Sequence, residues 1–216
     1  MKKLILSCAV ACVAVFPCIN KTFAQDSKPR IGIKAGADLM TLGAATFNGL
    51  SIIYNYTFGF QGGLYADVPL SSQVSFAPQV LFAQKGGSIN TDISVGNTTY
   101  TLQGKLHINY LDVPLLMGFK LKPNLTVFVG PQASFFMSQS TNLTTYNGSA
   151  GVTQKDNSSQ GFRKALIGGN LGVGYNINSN VGINLHYTFD FQHAGEGSTD
   201  TGERNRGFAL TVGYLF

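Results

Sequence analysis

The chain has 216 residues, of which only 12% are Asp, Glu, Lys or Arg, where an average soluble chain carries about a quarter. Its formal charge is +5, but Lys2, Lys3 and Lys21 belong to a leader-like N-terminus, and without them the balance falls to +2. That removes the main support for a nucleic-acid partner, and the low charge argues against an ordinary solvated surface.

The first 24 residues have the layout of a secretory signal peptide: a basic start, an apolar run from Leu4 to Ile19, and Thr22-Phe23-Ala24 before a cut preceding Gln25. The run is broken by Pro17 and too short for a comfortable membrane helix. A lipidated cysteine would have to be Cys8, Cys12 or Cys18. The first two leave almost no apolar run before them and the third follows a proline. Residues 1–24 are therefore expected to be removed, leaving 25–216 as one exported domain without cysteine and so without disulfides.

From Arg30 on, segments of period two alternate with turn-rich stretches, the mark of half-exposed strands. The first is Ile31 to Leu42, with Ile31, Ile33, Ala35, Ala37 and Leu39 on one face. Next come Thr57 to Val68 and Val74 to Lys85, the latter setting Val74, Phe76, Val80 and Phe82 against Ser75, Ala77, Gln79, Ala83 and Lys85. Thr101 to Lys120 is longer and less regular, its best apolar row running from Leu111 to Phe119. Leu125 to Met137 and Ala165 to Ile177 follow. From Val181 to Phe191 the odd positions are all apolar or aromatic and the even ones are Gly, Asn, His, Thr and Asp. Gly207 to Phe216 is the eighth and last.

The connections alternate in length. Pro69 to Gln73, Lys122 to Asn124 and Asn178 to Asn180 are tight turns, while Gly43 to Tyr56, Gly86 to Tyr100, Ser138 to Lys164 and Gln192 to Arg206 are long polar segments. Short turns at one end and long loops at the other characterise barrels of the bacterial outer membrane, with the long loops outside the cell.

Period two does not say which face is wet; the residue types do. The face opposite the aromatic row carries Gly, Ala, Asn, Gln and Thr with few charges, which suits the narrow interior of eight strands and not a solvated exterior. Eleven residues at about 3.3 Å each, tilted about 45°, rise about 25 Å, the height of the apolar band of such barrels. The expected fold is all-β, an eight-stranded antiparallel transmembrane up-and-down barrel, aromatic row toward lipid. Pro78, Pro114 and Pro131 fall inside strands that have no free edge, so each is expected at a bulge or a rim.

The terminal G-F-A-L-T-V-G-Y-L-F resembles the C-terminal strand signal of outer-membrane barrels, with Phe208, Leu210, Val212, Tyr214 and Phe216 as the row read by the barrel assembly machinery. Asn109 to Phe136, N-Y-L-D-V-P-L-L-M-G-F-K-L-K-P-N-L-T-V-F-V-G-P-Q-A-S-F-F, is similar to the PorT-like outer-membrane β-barrel domain family. The resemblance implies fold and location. It implies little about activity, beyond a link of some members to secretion of other proteins.

No catalytic, cofactor-binding or metal site is expected. His186 and Asp190 share a face but lie about 13 Å apart along the strand, too far for one to orient the other. His193 points opposite to His186, and His107 is isolated near an outer loop. Gly168 to Gly174 lacks the order of a phosphate-binding loop. The Asn-x-Ser/Thr triplets at Asn97, Asn142, Asn147 and Asn157 report polar surface loops.

Lys34, Asp38, Gln61, Asp67, Lys85, Asn184, His186 and Asp190 are the polar residues expected inside, as a network plugging the lumen or lining a narrow water path. Eight strands leave little room, which favours the plug. The expected function is structural or interactive, through surface loops or a secretion system, with Ser138 to Lys164 the loop best suited to external contact. A narrow channel for small solutes is the alternative. A lipid-acting enzyme would need a nucleophile and a base on a face that is almost entirely apolar. The expected partners are outer-membrane lipid, the assembly machinery and a protein bound through the outer loops.

Overall fold

The computed structural model describes residues 28–47, 50–95, 98–148, 150–158, 160–195 and 204–216. The leader proposed for residues 1–24 lies outside them.

Eight strands form a closed ring: β1 (Arg30–Thr41), β4 (Thr57–Pro69), β5 (Val74–Val95), β6 (Thr98–Lys122), β7 (Leu125–Asn147), β9 (Ala165–Asn176), β10 (Val181–Asp190) and β11 (Arg206–Leu215). Each pairs antiparallel with its neighbours, and β1 closes the ring on β11 from Gly32↔Leu215 to Thr41↔Arg206. Three further strands lie outside the ring: β2 (Ala44–Phe47) and β3 (Leu50–Ile53) form a hairpin, and β8 (Ala150–Asp156) pairs with the far end of β7.

The period-two faces decide what is inside. Along β11, Phe208, Leu210, Val212 and Tyr214 are exposed, while Gly207, Ala209, Thr211 and Gly213 are buried. Along β10, Ile183 and Leu185 are exposed and Gly182, His186, Thr188 and Asp190 are buried. Apolar side chains on the outer wall and polar ones within reverse the arrangement of a soluble sandwich, as a hydrocarbon solvent requires.

The tight turns hold by local bonds. Leu70 and Ser71 donate their N–H groups to the Val74 carbonyl, and Asn178 Oδ1 accepts from the N–H groups of Asn180 and Val181, the side-chain mimicry of a turn that Asn provides.

Two expectations need correction. The segments Gly86 to Tyr100 and Ser138 to Lys164 are largely strand, not loop. β5 and β6 stay paired from Gly86↔His107 to Val95↔Thr98, and β7 pairs with β6 up to Asn147↔Tyr100 while its other edge, from Thr141 to Asn147, pairs with β8. Thr, Ser and Asn dominate these stretches, and a ladder with both faces in water needs no apolar row to form. The four strands make an arm that continues the barrel wall. Its base is marked by Gly86, whose φ of 146° and whose Cα, pressed against the Leu106 carbonyl, admit no side chain. At the same level a register shift between Asn109 and Tyr110 inserts one residue into β7.

The prolines sit at neither bulges nor rims. Around Pro78 the β4–β5 ladder stops at Tyr65↔Gln79 and resumes at Val68↔Phe76 in unchanged register. Around Pro114 the β5–β6 ladder passes from Pro78↔Leu115 to Leu81↔Asp112, and around Pro131 the β6–β7 ladder passes from Met117↔Val129 to Pro114↔Gln132, again in register. Each ring nitrogen drops bonds on the side of the preceding strand while the pairing on either side holds the alignment.

The outward row should be sensitive to charge in a depth-dependent way. Leu185→Arg or Leu210→Arg, near the middle of the wall, is expected to cost about 2–4 kcal/mol, against about 0.5 kcal/mol or less for Thr145→Arg in the arm. Urea-dependent folding into liposomes, followed by heat-modifiable gel mobility, measures the difference.

Candidate functional site: the lumen

The inward positions stack in layers along the barrel axis. At the centre, β5 supplies Lys85, β6 supplies Asp112 and β10 supplies Asp190, all nearly inaccessible. Lys85 Nζ lies 3.0 Å from Asp112 Oδ2 and 3.9 Å from Asp190 Oδ1, donates to Ser134 Oγ at 2.9 Å, and stands 5.0 Å from the centroid of the Tyr110 ring. Asn205 Nδ2 donates to Asp190 Oδ2 at 2.9 Å. A buried ammonium is thus met by two carboxylates, a hydroxyl and an aromatic face, the condition for burying charge at tolerable cost.

From Asp112 a chain of hydrogen bonds runs around the wall. Gln132 Nε2 donates to Asp112 Oδ2 at 2.9 Å, Asn170 Nδ2 donates to Gln132 Oε1 at 3.0 Å, and His186 Nδ1 lies 2.8 Å from Asn170 Oδ1. The order of donors is forced. The carboxylate of the Lys85 pair only accepts, so Gln132 turns its amide NH2 to it and its oxygen to Asn170. Asn170 in turn keeps an oxygen for the histidine, so the Nδ1 facing it carries a proton. The ring packs on Gly172, where a Cβ would fall 2.3 Å from Nδ1, and tilts against Phe128 at 5.8 Å. Only glycine at 172 leaves space for it.

Toward the outside the polar layer gives way to an apolar one. Leu42, Ile108, Tyr110, Leu166 and Ala194 form a buried cluster, packed against Tyr54, Leu106, Phe136 and Phe162. Phe136 stacks on Phe162 at 5.5 Å and meets Tyr110 edge-on at 6.2 Å. Above it is a small pocket of about 290 Å³, bordered by Leu106, Gln139, Asp156 and Phe162. His107 stands in the arm beyond this layer, where burial, and then the charge of Lys105, hold its pKa below the ordinary value. Toward the periplasm the lumen widens to a cavity of about 660 Å³ reaching Lys34, Gln79 and His186.

Of the eight polar residues named from the sequence, Lys85, His186 and Asp190 belong to the central network. Lys34, Asp67 and Asn184 line the periplasmic cavity, Lys34 donating to Gln79 Oε1 at 3.0 Å. Asp38 and Gln61 are buried inside. His186 and Asp190 do not touch: the first bonds Asn170 and the second Lys85 and Asn205. Asp112, Ser134, Gln132, Asn170, Asn205 and Tyr110 complete the network without being among those eight. For Asp112 the signal was present, since it alternates with the outward Leu111 and Val113. Asn205 sits in a loop, where alternation says nothing.

The C-terminal row faces outward along β11, and its end is fastened: Arg30 donates to the carbonyls of Ser179, Leu215 and Phe216, and Asn180 Nδ2 to that of Leu215. Asn142 and Asn147 lie on β7 in the arm and Asn157 follows β8. Asn97 lies outside the described residues. Among the described residues no three His, Cys, Asp or Glu side chains gather as a metal site.

A closed ring of eight strands, apolar outward and ion-paired inward, defines a transmembrane β-barrel of the outer-membrane class. Over residues 23–194 the chain matches the outer membrane protein beta-barrel domain family. It belongs to that family, and its place is the outer membrane. None of the curated proteins matches it. Among solved structures it is similar to Ail, the attachment invasion locus protein of Yersinia pestis (11% identity, TM-score 0.45, covering 88% of this chain and 100% of that one). It is also similar to OprG of Pseudomonas aeruginosa (13%, 0.43, 88% and 96%) and to the outer membrane protease OmpT of Escherichia coli (11%, 0.43, 92% and 99%). At these values the likenesses carry no inference about activity.

The balance of the central layer is testable. Lys85→Met leaves Asp112 and Asp190 without their cation and is expected to destabilise the barrel by about 3–5 kcal/mol. Adding Asp112→Asn and Asp190→Asn to Lys85→Met should restore most of the loss, read by the same liposome folding assay.

Proposed function

We propose that the chain is a closed, non-conducting barrel that acts through its outer arm as an interaction surface and performs no chemistry of its own. The observation that carries this reading is the double closure of the lumen. The Lys85 layer fills the middle, and the apolar cluster of Leu42, Ile108, Tyr110 and Leu166 covers its outer side. A solute channel would need a wet path through both.

The arm has what the interior lacks. β8 is exposed along its whole length, and its edge away from β7 pairs with no strand among the described residues. Its face is polar, with Thr144 and Thr153 joined through their hydroxyls at 3.0 Å. An open strand edge takes up an extended segment of another chain through backbone bonds. A protein partner is therefore the natural occupant, and the PorT-like resemblance of the Asn109 to Phe136 segment favours a secretion-associated one. Lipid around the wall and the assembly machinery at the C-terminal row complete the partners. Residues 1–24 act as the export leader.

In planar bilayers the purified protein is expected to show no steady conductance. Shortening the arm across residues 141–156 should abolish crosslinking to a partner in native membranes and leave permeability unchanged. Stable single-channel currents that shift in Asp190→Asn would overturn the reading in favour of a small-solute channel.

A further inference from the structure

The arm has two faces, and strand register separates them. On β6 the lipid-side row of Leu115, Val113 and Leu111 continues, in unchanged register with β5, as Asn109, His107 and Lys105. These three side chains therefore leave the arm on the side of the wall that faces lipid. Phe82, Leu111 and Phe135 stand directly opposite one another and form the last apolar row spanning β5, β6 and β7. Beyond it the face turns polar: Gln84 Nε2 donates to Asn109 Oδ1 at 3.2 Å, and Asn109 Nδ2 to Ser138 Oγ at 2.9 Å. Two rows further out Lys105 is opposed by Ser88 on β5 and by Asn142 on β7, and Asn142 in turn by Lys155 on β8. Two lysines thus flank Asn142 on one face, their Cα atoms about 10 Å apart across two strand spacings.

Both lysines are exposed, and among the described residues the ion pairs are those of Lys85. Asp156, next to Lys155 in the chain, alternates to the other face, where it borders the small pocket and its Oδ1 accepts from the Ser158 N–H. Asp92 is on the lipid side but two rows further out, and Thr101 Oγ1 donates to it at 2.6 Å. The lysine row is a cationic strip among amides and hydroxyls. Height narrows what meets it. Lys105 follows Leu111 outward by six residues, which at about 3.3 Å each and a tilt of about 45° is a rise of about 14 Å. The headgroup layer of a phospholipid is only about 5–8 Å deep on each side of the hydrocarbon. A headgroup built of several sugars reaches the strip.

We propose that the lipid-side face of the arm holds the anionic saccharide headgroup of an outer-leaflet glycolipid, with acidic groups on Lys105 and Lys155 and sugar hydroxyls on Asn142 and Gln103. The acyl chains of the same molecule lie on Phe82, Leu111 and Phe135, and this continuity between apolar wall and cationic arm selects a lipid over a dissolved polyanion. The free edge of β8 and the pocket on the opposite face stay open, so a partner chain added there does not compete. His107, one row below Lys105, reports occupancy. Burial first, then Lys105, hold its pKa below the ordinary value, and from the strands on either side it is opposed by Gly86 and Ser140, which carry no charge. An anion held on Lys105 offsets the second effect and moves that pKa up.

The test places the full-length mature protein in phosphatidylethanolamine–phosphatidylglycerol vesicles with either complete lipopolysaccharide or the same lipid cut back to its acylated, phosphorylated base. Glycolipid retained per barrel after detergent extraction and the titration of His107 by NMR are read in both. Complete lipopolysaccharide is expected to be retained about tenfold or more over the truncated form, and to raise the pKa of His107 in the unaltered chain. Lys105→Gln and Lys155→Gln should each lower retention about fivefold, the scale of one cation at an anionic membrane surface. Both side chains are exposed, so the folding midpoint should not move, and Lys122→Gln at the periplasmic end should change nothing. A photocrosslinker at Asn142 in native membranes should capture glycolipid. Equal retention of the two lipid forms, or retention indifferent to both lysine changes, would overturn the proposal. So would a His107 that titrates alike in the two vesicles, or capture of a protein at Asn142 in place of lipid.

Discussion

A strand in hydrocarbon has nowhere to send its backbone N–H and C=O groups except to another strand, and an edge left open there costs several kcal/mol for every unsatisfied group. The ring of eight answers that constraint through the seam between β1 and β11. The prolines show how tightly it binds. Pro78, Pro114 and Pro131 lie on three successive strands at adjacent register positions, Pro78 opposite Leu115 and Pro114 opposite Gln132, so their gaps run obliquely across one patch of wall. A register slip at any of them would turn a whole row of polar side chains toward lipid. Because that penalty far exceeds a few missing ladder bonds, the strands keep their alignment and the bonds are lost instead.

Closure also fixes the problem of the interior. A ring this narrow leaves room only for side chains, and a small lumen filled with polar groups needs every one of them paired. The solution here is directional. Lys85 neutralises two carboxylates from different strands, and the Asp112 carboxylate orients the amides of Gln132 and Asn170 in turn. The consequence reaches His186, whose tautomer is settled by a charge three residues away in the network and not by any neighbour on its own strand.

Much of the wall was legible in the sequence because a β-strand in a barrel wall writes its environment at every second residue. Val181 to Phe191 needs no further information to place its two faces once the scarcity of charge rules out a solvated exterior. The arm was not legible by the same means. Its strands from Gly86 to Val95 and from Ser138 to Asn147 have water on both sides, so no apolar row distinguishes them from loop, and only pairing across the chain makes them strands. The lumen was half legible. Alternation marks Lys34, Lys85 and Asp190 as inward, but which inward residues meet depends on stagger between strands. Lys85 and Asp112 are four register steps from direct opposition, and they meet because a long lysine leans along the axis.

The stagger also explains the asymmetry of the two halves. Toward the outside, the strands that continue into the arm bring Ile108 and Tyr110 inward just beyond the charged layer, and the chain after β1 and β10 folds Leu42 and Ala194 over them. Toward the periplasm the strands end in short turns, which have no residues to spare for filling. On β9 and β10 the inward positions there are Gly174, Gly182 and Asn184, whose small side chains leave a chamber. A barrel that is sealed by long connections at one end and emptied by short ones at the other is necessarily a cup with its opening on the periplasmic side. At its bottom stand Lys34, tied to Gln79, and the ring of His186, tied through Asn170 and Gln132 to the ion pair that closes the path beyond.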